Sequence, residues 1–315
     1  MAYFLGVDGG GSKTTCAVGD ETLHLVTVTA GPSNITRVGE VRARESLHQA
    51  VNQACAAAKI DPQQVANACI GIAGAGREEI ARAVHQMVAE AIPGEIEVVG
   101  DMQIALEAAF GVGLGVMVIA GTGSIAYGRD ALGRTARAGG WGFAISDEGS
   151  AHWIGRAAVA ALLRAADQSV HEDAAEASIL FRELKAAWKL RSLDELVLTA
   201  NSATDFAALL PAVLAAADAG DASAQQVLAQ AGRELAHLAA IVSRRLFADN
   251  RLSRSFVPLA MAGGVFGHSA RVREVFRDEV RKLDSRVEVN PQVIDPVAGA
   301  LQIARKVWQA KQVKR

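Results

Sequence analysis

The strongest constraint on this chain is an internal echo. Tyr3-Phe4-Leu5-Gly6-Val7-Asp8-Gly9-Gly10-Gly11-Ser12 is answered, at an offset of 112, by Gly115-Val116-Met117-Val118-Ile119-Ala120-Gly121-Thr122-Gly123-Ser124. Each segment is an apolar run, too short for a helix, that stops at glycines, which reads as a buried strand entering a tight turn. A second extended run follows in each case, Thr14 to Gly19 and Ile125 to Gly128, and turn residues appear at Asp20 and Gly133. Both segments are therefore expected to be β-hairpins with small-residue tips. A later strand extends the parallel: Val65 to Gly71 leads into Ala73-Gly74-Ala75-Gly76, and Val257 to Ala262 ends in Gly263-Gly264. The chain reads as two duplicated α/β halves.

The remainder is mostly helical in pattern. Helices are expected over Val38 to Ala58, Arg77 to Ala91, Ile104 to Phe110 and Glu148 to Ala166, followed by an Ala-rich stretch from Glu172 to Ala248 without a strand of useful length. Asp221 is placed to cap a long helix running to Phe247. A short strand at Val287 to Val289 precedes a last helix opening at Pro296, where proline is tolerated in the first turn. Its basic residues Arg305, Lys306, Lys311, Lys314 and Arg315 read as a solvated helix tail, too few and too spread to form a groove.

Composition narrows the function. Its 315 residues suggest about two domains. With 32 Lys plus Arg against 34 Asp plus Glu, no global basic field exists to hold nucleic acid or an anionic membrane. Half the residues are hydrophobic and 21% are charged, as in ordinary globular proteins. Cys16, Cys55 and Cys69 are odd in number and lack C-x-x-C spacing, so neither a disulfide framework nor a zinc site is encoded, and a reducing cytoplasm is expected. The apolar start meets Asp8 after five residues, and no run of 18 apolar residues occurs, so neither a signal peptide nor a membrane span is expected.

The glycine tips carry the chemistry. Residues without a Cβ let backbone N–H groups approach phosphate oxygens, and Asp8-Gly9-Gly10-Gly11-Ser12-Lys13 and Gly121-Thr122-Gly123-Ser124 both have this character. One such turn is ordinary hairpin geometry; two at matching positions of a duplicated chain suit a polyphosphate. Neither is the Walker A pattern nor the G-x-G-x-x-G dinucleotide turn, because Gly9-Gly10-Gly11 leads into a strand. From local sequence alone, Asp101 after Gly100 is equally a helix cap or a carboxylate base, and Asp147-Glu148 equally a capping pair or a sugar contact. Trp141 lies between Gly140 and Gly142, free to line a pocket, whereas Trp153, Trp188 and Trp308 sit in helical patterns as packing residues. His24, His48, His85, His171, His237 and His268 lack metal-ligand spacing, and His152 is expected at the surface or behind the site.

Together the D-G-G-G-S-K hairpin, Gly100-Asp101, the I-A-G-T-G-S hairpin, G-G-W-G-F-A-I-S-D-E-G-S-A-H-W-I-G from Gly139 to Gly155 and M-A-G-G-V from Met261 to Val265 resemble N-acetylglucosamine kinases and bacterial glucosamine kinases. These belong to the reductase-activator-type ATPase branch of the sugar kinase, heat-shock chaperone and actin superfamily. The resemblance spans the whole chain, and its most specific piece is G-G-W-G with S-D-E-G-S. It implies an α/β chain of two ribonuclease-H-like (actin-like) domains flanking a nucleotide and sugar cleft. One would comprise 1–112 with the C-terminal helix 296–315, the other 113–295 with a helical insertion at about 167–250.

The activity it implies is a cytoplasmic transferase that moves phosphate from ATP, with Mg²⁺, to the 6-hydroxyl of N-acetylglucosamine, working as a homodimer without nucleic acid or membrane. In that reading Asp8 holds Mg²⁺ through water. Gly9, Gly10, Gly11, Ser12 and Lys13 and then Gly121, Thr122, Gly123 and Ser124 bind phosphates, and Gly263 and Gly264 lie against the nucleoside. Asp101 is the catalytic base, and Asn34, Asp101, Thr122, Gly140, Trp141 and Asp147 hold the sugar. Ser146 replaces a glycine found in several relatives, which bears on sugar preference. Glucosamine is the alternative acceptor. A reductase-activating ATPase would need cluster thiolates beyond Cys69, where none exists, and a non-catalytic sugar sensor would not need Asp8, Asp101, Thr122 and Asp147 together. Closure around the sugar is expected, hinged near Gly111 to Gly115 and Asn290 to Pro296.

Overall fold

A computed structural model describes residues 2–168, 177–202, 205–247 and 256–313. His171, Lys314 and Arg315, and parts of the expected insertion at 169–176, 203–204 and 248–250, lie outside the described residues. The chain divides into two compact units, Met1–Gly113 with Ile294–Arg315, and Leu114–Val293.

In the first unit the elements run β1 (Tyr3–Gly9), β2 (Thr14–Gly19), β3 (His24–Ala30), α1 (Ile35–Val38), α2 (Glu40–Ala58), β4 (Val65–Ile72), α3 (Glu78–Ala89), β5 (Glu95–Val99) and α4 (Asp101–Phe110), joined by the last helix, α12 (Pro296–Gln312). The sheet order is β3-β2-β1-β4-β5. β1 pairs antiparallel with β2 and parallel with β4, and β4 pairs parallel with β5. Both faces are covered. One carries Leu5, Val7, Val18, Ile70 and Ile72 against Leu47, Val51 and Ala54 of α2 and Val84 and Val88 of α3. The other carries Phe4, Ala17 and Cys69 against Ile104 of α4 and Val297, Ala300, Leu301 and Ala304 of α12. The i, i+3, i+4, i+7 spacing on α12 is what presents that stripe to the sheet.

The second unit repeats the plan: β6 (Gly115–Ala120), β7 (Ser124–Arg129), β8 (Thr135–Gly139), α5 (Ala151–Gln168), α6 (Ile179–Trp188), α7 (Leu193–Asn201), a 3₁₀ turn at Phe206–Leu209, α8 (Leu210–Asp218), α9 (Ala222–Phe247), β9 (Val257–Ala262), α10 (Gly264–His268), α11 (Ala270–Leu283) and β10 (Val287–Ile294). The order β10-β9-β6-β7-β8 mirrors the first sheet strand for strand. β6 is again antiparallel to β7 and parallel to β9.

Three findings differ from the sequence reading. The strands β3, β5 and β8 were not expected, and all three are sheet edges, where one side of the strand meets solvent and the apolar run that marks an interior strand is missing. β10 continues past Val289 to Ile294 through Pro291, which an edge strand accepts because it lacks a required N–H. The third concerns the insertion. α9, expected to lie within it, packs on β6, β7 and β8 as α2 packs on β2 and β3, so the segment without a counterpart in the first unit is α5 to α8.

The basic end of α12 is also more than a solvated tail. Arg305 Nε donates to the Asp20 carbonyl at 2.7 Å and Nη2 to the Leu23 carbonyl at 2.7 Å, while Lys306 pairs with Glu107 and Lys311 with Glu95. Asp221 caps α9 as expected, its Oδ1 accepting from the Ala224 N–H at 3.0 Å. Among the described residues no single helix is long and apolar enough to cross a membrane; the bent pair Phe206–Asp218 and Ala222–Phe247 meets that test together by length and composition.

Candidate active site

In the first unit the parallel strands deliver two carboxylates at their C-terminal ends. Asp8 is the penultimate residue of β1, and Asp101 is the first residue of α4, directly after β5 and Gly100. Burial, then the charges of Asp101 and Asp295, raise the Asp8 carboxyl from 3.8 to about 7, with Lys13 opposing. Burial also raises Asp101, opposed by backbone donors, one being the Met102 N–H at 3.0 Å from its Oδ1. Asp101 is the first helical residue after the N-cap Gly100, and its carboxylate is desolvated there.

The first hairpin tip is tied to the Asn34 loop. Gly10 N–H donates to the Lys13 carbonyl at 2.9 Å, and the Gly10 carbonyl accepts from the Ser33 and Asn34 N–H groups at 3.2 and 3.3 Å. Thr14 Oγ1 donates to the Gly31 carbonyl at 2.7 Å and accepts from the Ser33 hydroxyl at 2.8 Å, fastening the same loop. Asn34 Oδ1 caps α1, accepting from Thr36 N–H and Oγ1. Ser12 and Lys13 are exposed beside it. The structure thus groups Asp8, Gly9, Gly10, Lys13 and Asn34 at one end of the first sheet, where Asp101 also stands. Sequence reasoning passed over Asp295, which joins them through its charge on Asp8. It caps α12, its Oδ1 accepting from the Val297 N–H at 3.2 Å, and the signal for it was an Asp-Pro pair opening a helix, as Gly-Asp opens α4.

In the second unit the Gly121–Ser124 tip is held by the loop and helix that follow β8. Ala151 N–H donates to the Gly121 carbonyl at 2.9 Å and His152 N–H to the Thr122 carbonyl at 3.4 Å. Ser124 Oγ donates to the Glu148 carbonyl at 2.8 Å, and Gly140 N–H to the Ser124 carbonyl at 2.9 Å. Asp147 is buried in left-handed backbone, φ 63°, a conformation Asp tolerates better than most residues. Its Oδ1 accepts from Gly142 N–H at 3.3 Å, and burial, reinforced by Glu148, raises its carboxyl above the ordinary range against that hydrogen bond. Trp141 stays exposed, with the Arg137 guanidinium 4.3 Å from its ring centre.

Gly263 ends β9 with φ 97°, and a Cβ there would collide with the Ala120 backbone, so only glycine lets β9 close on β6. Gly264 opens α10 with ordinary space around it.

Chemically, the first unit offers desolvated carboxylates for a proton and a hard cation, and the second offers a glycine-rich turn and a buried carboxylate for hydroxyl groups. Among the described residues no three His, Cys, Asp or Glu side chains converge as a ready-made metal site. Cys16, Cys55 and Cys69 are unpaired and buried, and burial raises each thiol, Cys55 to about 11.

The chain is 33% identical over 310 residues to an N-acetylmuramic acid/N-acetylglucosamine kinase of Clostridium acetobutylicum, covering 97% of this chain and 99% of the relative. It is 28% identical to an N-acetyl-D-glucosamine kinase of Dictyostelium discoideum, over 96% and 97% of the two chains. The crystal structure of a Chromobacterium violaceum protein provisionally named an N-acetylglucosamine kinase matches with a TM-score of 0.73 and 25% identity, covering 96% of this chain and 99% of that one. The duplicated α/β plan is thus the actin-like sugar-kinase fold. Residues 5–304 match the BadF/BadG/BcrA/BcrD ATPase family, and the chain belongs to that family.

Proposed function

We propose that this protein is an ATP-dependent kinase that transfers the γ-phosphoryl group to the 6-hydroxyl of N-acetylglucosamine. The observation that carries the reading is Asp101, a desolvated carboxylate with a raised proton affinity at the start of α4. A general base works best when its pKa lies nearer the working pH, and burial moves Asp101 that way. Asp101 takes the hydroxyl proton as the sugar oxygen bonds to the γ-phosphorus, while the bond to the departing ADP oxygen breaks. The glycine-rich tips Gly9 to Lys13 and Gly121 to Ser124 hold phosphate oxygens, and Gly263 and Gly264 lie along the nucleoside. Asn34, Thr122, Gly140, Trp141 and Asp147 orient the sugar, with Asp147 accepting from its hydroxyls. Phosphoryl transfer asks a protein mainly for such positioning and charge.

The donor set fits Mg²⁺. Asp8 is crowded by Asp101 and Asp295 and resists ionisation, and a hard cation relieves that repulsion. Because the described residues hold no complete metal cage, the ion would take its other ligands from phosphate and water. When bound, Mg²⁺ supplies charge neutralisation at the phosphates. Three buried, unpaired thiols suit a reducing cytoplasm, and a homodimer completes the proposal.

A second acceptor is supported by one observation. Arg137 lies over Trp141 in the sugar loop, where its guanidinium is placed to meet a carboxylate, so N-acetylmuramic acid, named for the Clostridium relative, belongs in the test. That test is coupled ADP release with N-acetylglucosamine, N-acetylmuramic acid, glucosamine and glucose. ADP release strictly dependent on N-acetylglucosamine supports the reading. Equal release with no sugar present overturns it.

A further inference from the structure

The loop from Gly140 to Ser146 is poorly secured by burial. Trp141, Phe143 and Ile145 are 66%, 46% and 81% exposed. Its internal bonds are short-range, with Ile145 and Ser146 N–H groups donating to the Gly142 carbonyl at 3.2 and 2.9 Å. One side chain reaches back into the unit. The Phe143 ring lies 4.6 Å from the His152 ring, tilted by 45°. His152, on α5, is buried and meets Phe206 edge-on at 5.4 Å; Phe206 in turn meets Trp188 at 5.4 Å. Trp188 ends α6, and Phe206 opens the 3₁₀ turn. That turn is seated on α5 through Gly155, where a Cβ would collide with the Phe206 carbonyl.

Four rings therefore run in contact from the loop into the helices that the first unit lacks. We infer that this stack, Phe143–His152–Phe206–Trp188, is the positioning device of the sugar loop, and that the inserted helices thereby set acceptor affinity. Deepening the kinase reading, the inference makes His152, Phe206 and Trp188 positioning residues that touch no substrate. They act through Phe143, which fixes where Trp141 and the Gly142 N–H to Asp147 contact stand. The nucleotide turn at Gly121–Ser124 is held separately, by backbone bonds from Ala151 and His152 and by the Ser124 hydroxyl. Loss of a ring should thus fall on the sugar and spare ATP.

The test compares Phe143→Ala, His152→Ala, His152→Phe, Phe206→Leu and Trp188→Leu as full-length enzyme, each first shown to be folded by circular dichroism. An aromatic pair contributes about 3–10-fold to an equilibrium. KM for N-acetylglucosamine should rise by about that factor in the ring-removing variants, with kcat and KM for ATP within twofold. His152→Phe keeps a ring and should retain the parent KM. Independently of any substrate, amide hydrogen exchange at Ile145 and Ser146 should quicken by about fivefold in His152→Ala, Phe206→Leu and Trp188→Leu. Unchanged exchange in those variants overturns the buttress, as does an equal rise in both KM values. Faster exchange in a protein that releases no sugar-dependent ADP would instead uphold the buttress and overturn the kinase reading.

Discussion

A β-carbon built on Gly123 would stand 2.5 Å from Asp147 Oδ2, so the turn of the second hairpin and the buried carboxylate between β8 and α5 occupy one shared volume. Only the absence of a side chain at 123 lets Asp147 keep its place. Gly123→Ala is expected to displace the carboxylate, raising KM for the sugar by about 10-fold or more, in line with one to two charge-assisted hydrogen bonds. Steady-state kinetics at saturating ATP would measure it, and a KM within twofold of the parent would separate Asp147 from sugar binding.

Gly121 makes the complementary case. A Cβ there meets nothing within 4 Å, and its backbone is not of the left-handed kind. Gly121→Ala should leave thermal stability unchanged and still raise KM for ATP several-fold, because the methyl fills space that phosphate oxygens need. Thermal melts beside ATP titrations test both halves of the expectation. Parent-like ATP kinetics would remove Gly121 from the phosphate site.

Asp101→Asn should keep sugar and nucleotide binding and lower kcat by roughly 10² or more, since the amide cannot take the proton. The raised carboxyl of Asp101 also displaces the acid limb of kcat against pH above the ordinary carboxylate range. That limb should vanish from the residual activity of the variant.

Stability of the metal-free protein should carry the signature of Asp8. Its carboxyl titrates near 3.8 unfolded and about 7 folded, so between these values the native state binds more protons than the unfolded state. The contribution of Asp8 to stability is therefore full below about pH 4, declines as pH rises, and levels off above about 7. Asp8→Asn should flatten that decline. Denaturant melts in chelator from pH 4 to 8 would show it, and a parent profile that already lacks the slope would count against the buried, crowded carboxyl.

Asn67 offers a stability gain remote from these residues. It lies on β4, 1% exposed, and among the described residues neither Oδ1 nor Nδ2 has a hydrogen-bond partner. Asn67→Val removes an unpaired amide and adds a β-favouring side chain, so stability should rise by about 1–3 kcal/mol. A lower melting temperature would indicate that the amide is satisfied in solution.

The interior of each sheet was legible because Phe4-Leu5-Gly6-Val7 and Val116-Met117-Val118 are buried on both faces and read as unbroken apolar runs. Glu95-Ile96-Glu97-Val98 and Thr135-Ala136-Arg137-Ala138 were not, since an edge strand mixes charge and small residues with its apolar positions. The site divided in the same way. Asp8, the glycine tips and Asp147 announce themselves by local pattern. The charge of Asp295 on Asp8 and the ring contacts of His152 join residues far apart in sequence; both are properties of space rather than spacing. The place of α9 was likewise unreadable, for an amphipathic helix shows which stripe is buried but not which sheet it is buried on.

The cover of the first sheet arrives last. Phe4, Ala17 and Cys69 are capped by Val297, Ala300, Leu301 and Ala304, yet all of Leu114–Val293 is translated in between. At about 5–20 residues per second the nascent first unit waits roughly 10–40 s with only Ile104 of α4 on that face, while the second, continuous in the chain, is free to condense first. A chain that stops upstream of α12 therefore lacks Val297, Ala300, Leu301 and Ala304 against that face. Of the groups that crowd Asp8, Asp295 arrives with that same late segment, so the full charge environment of Asp8 exists only once the first sheet has its second helix.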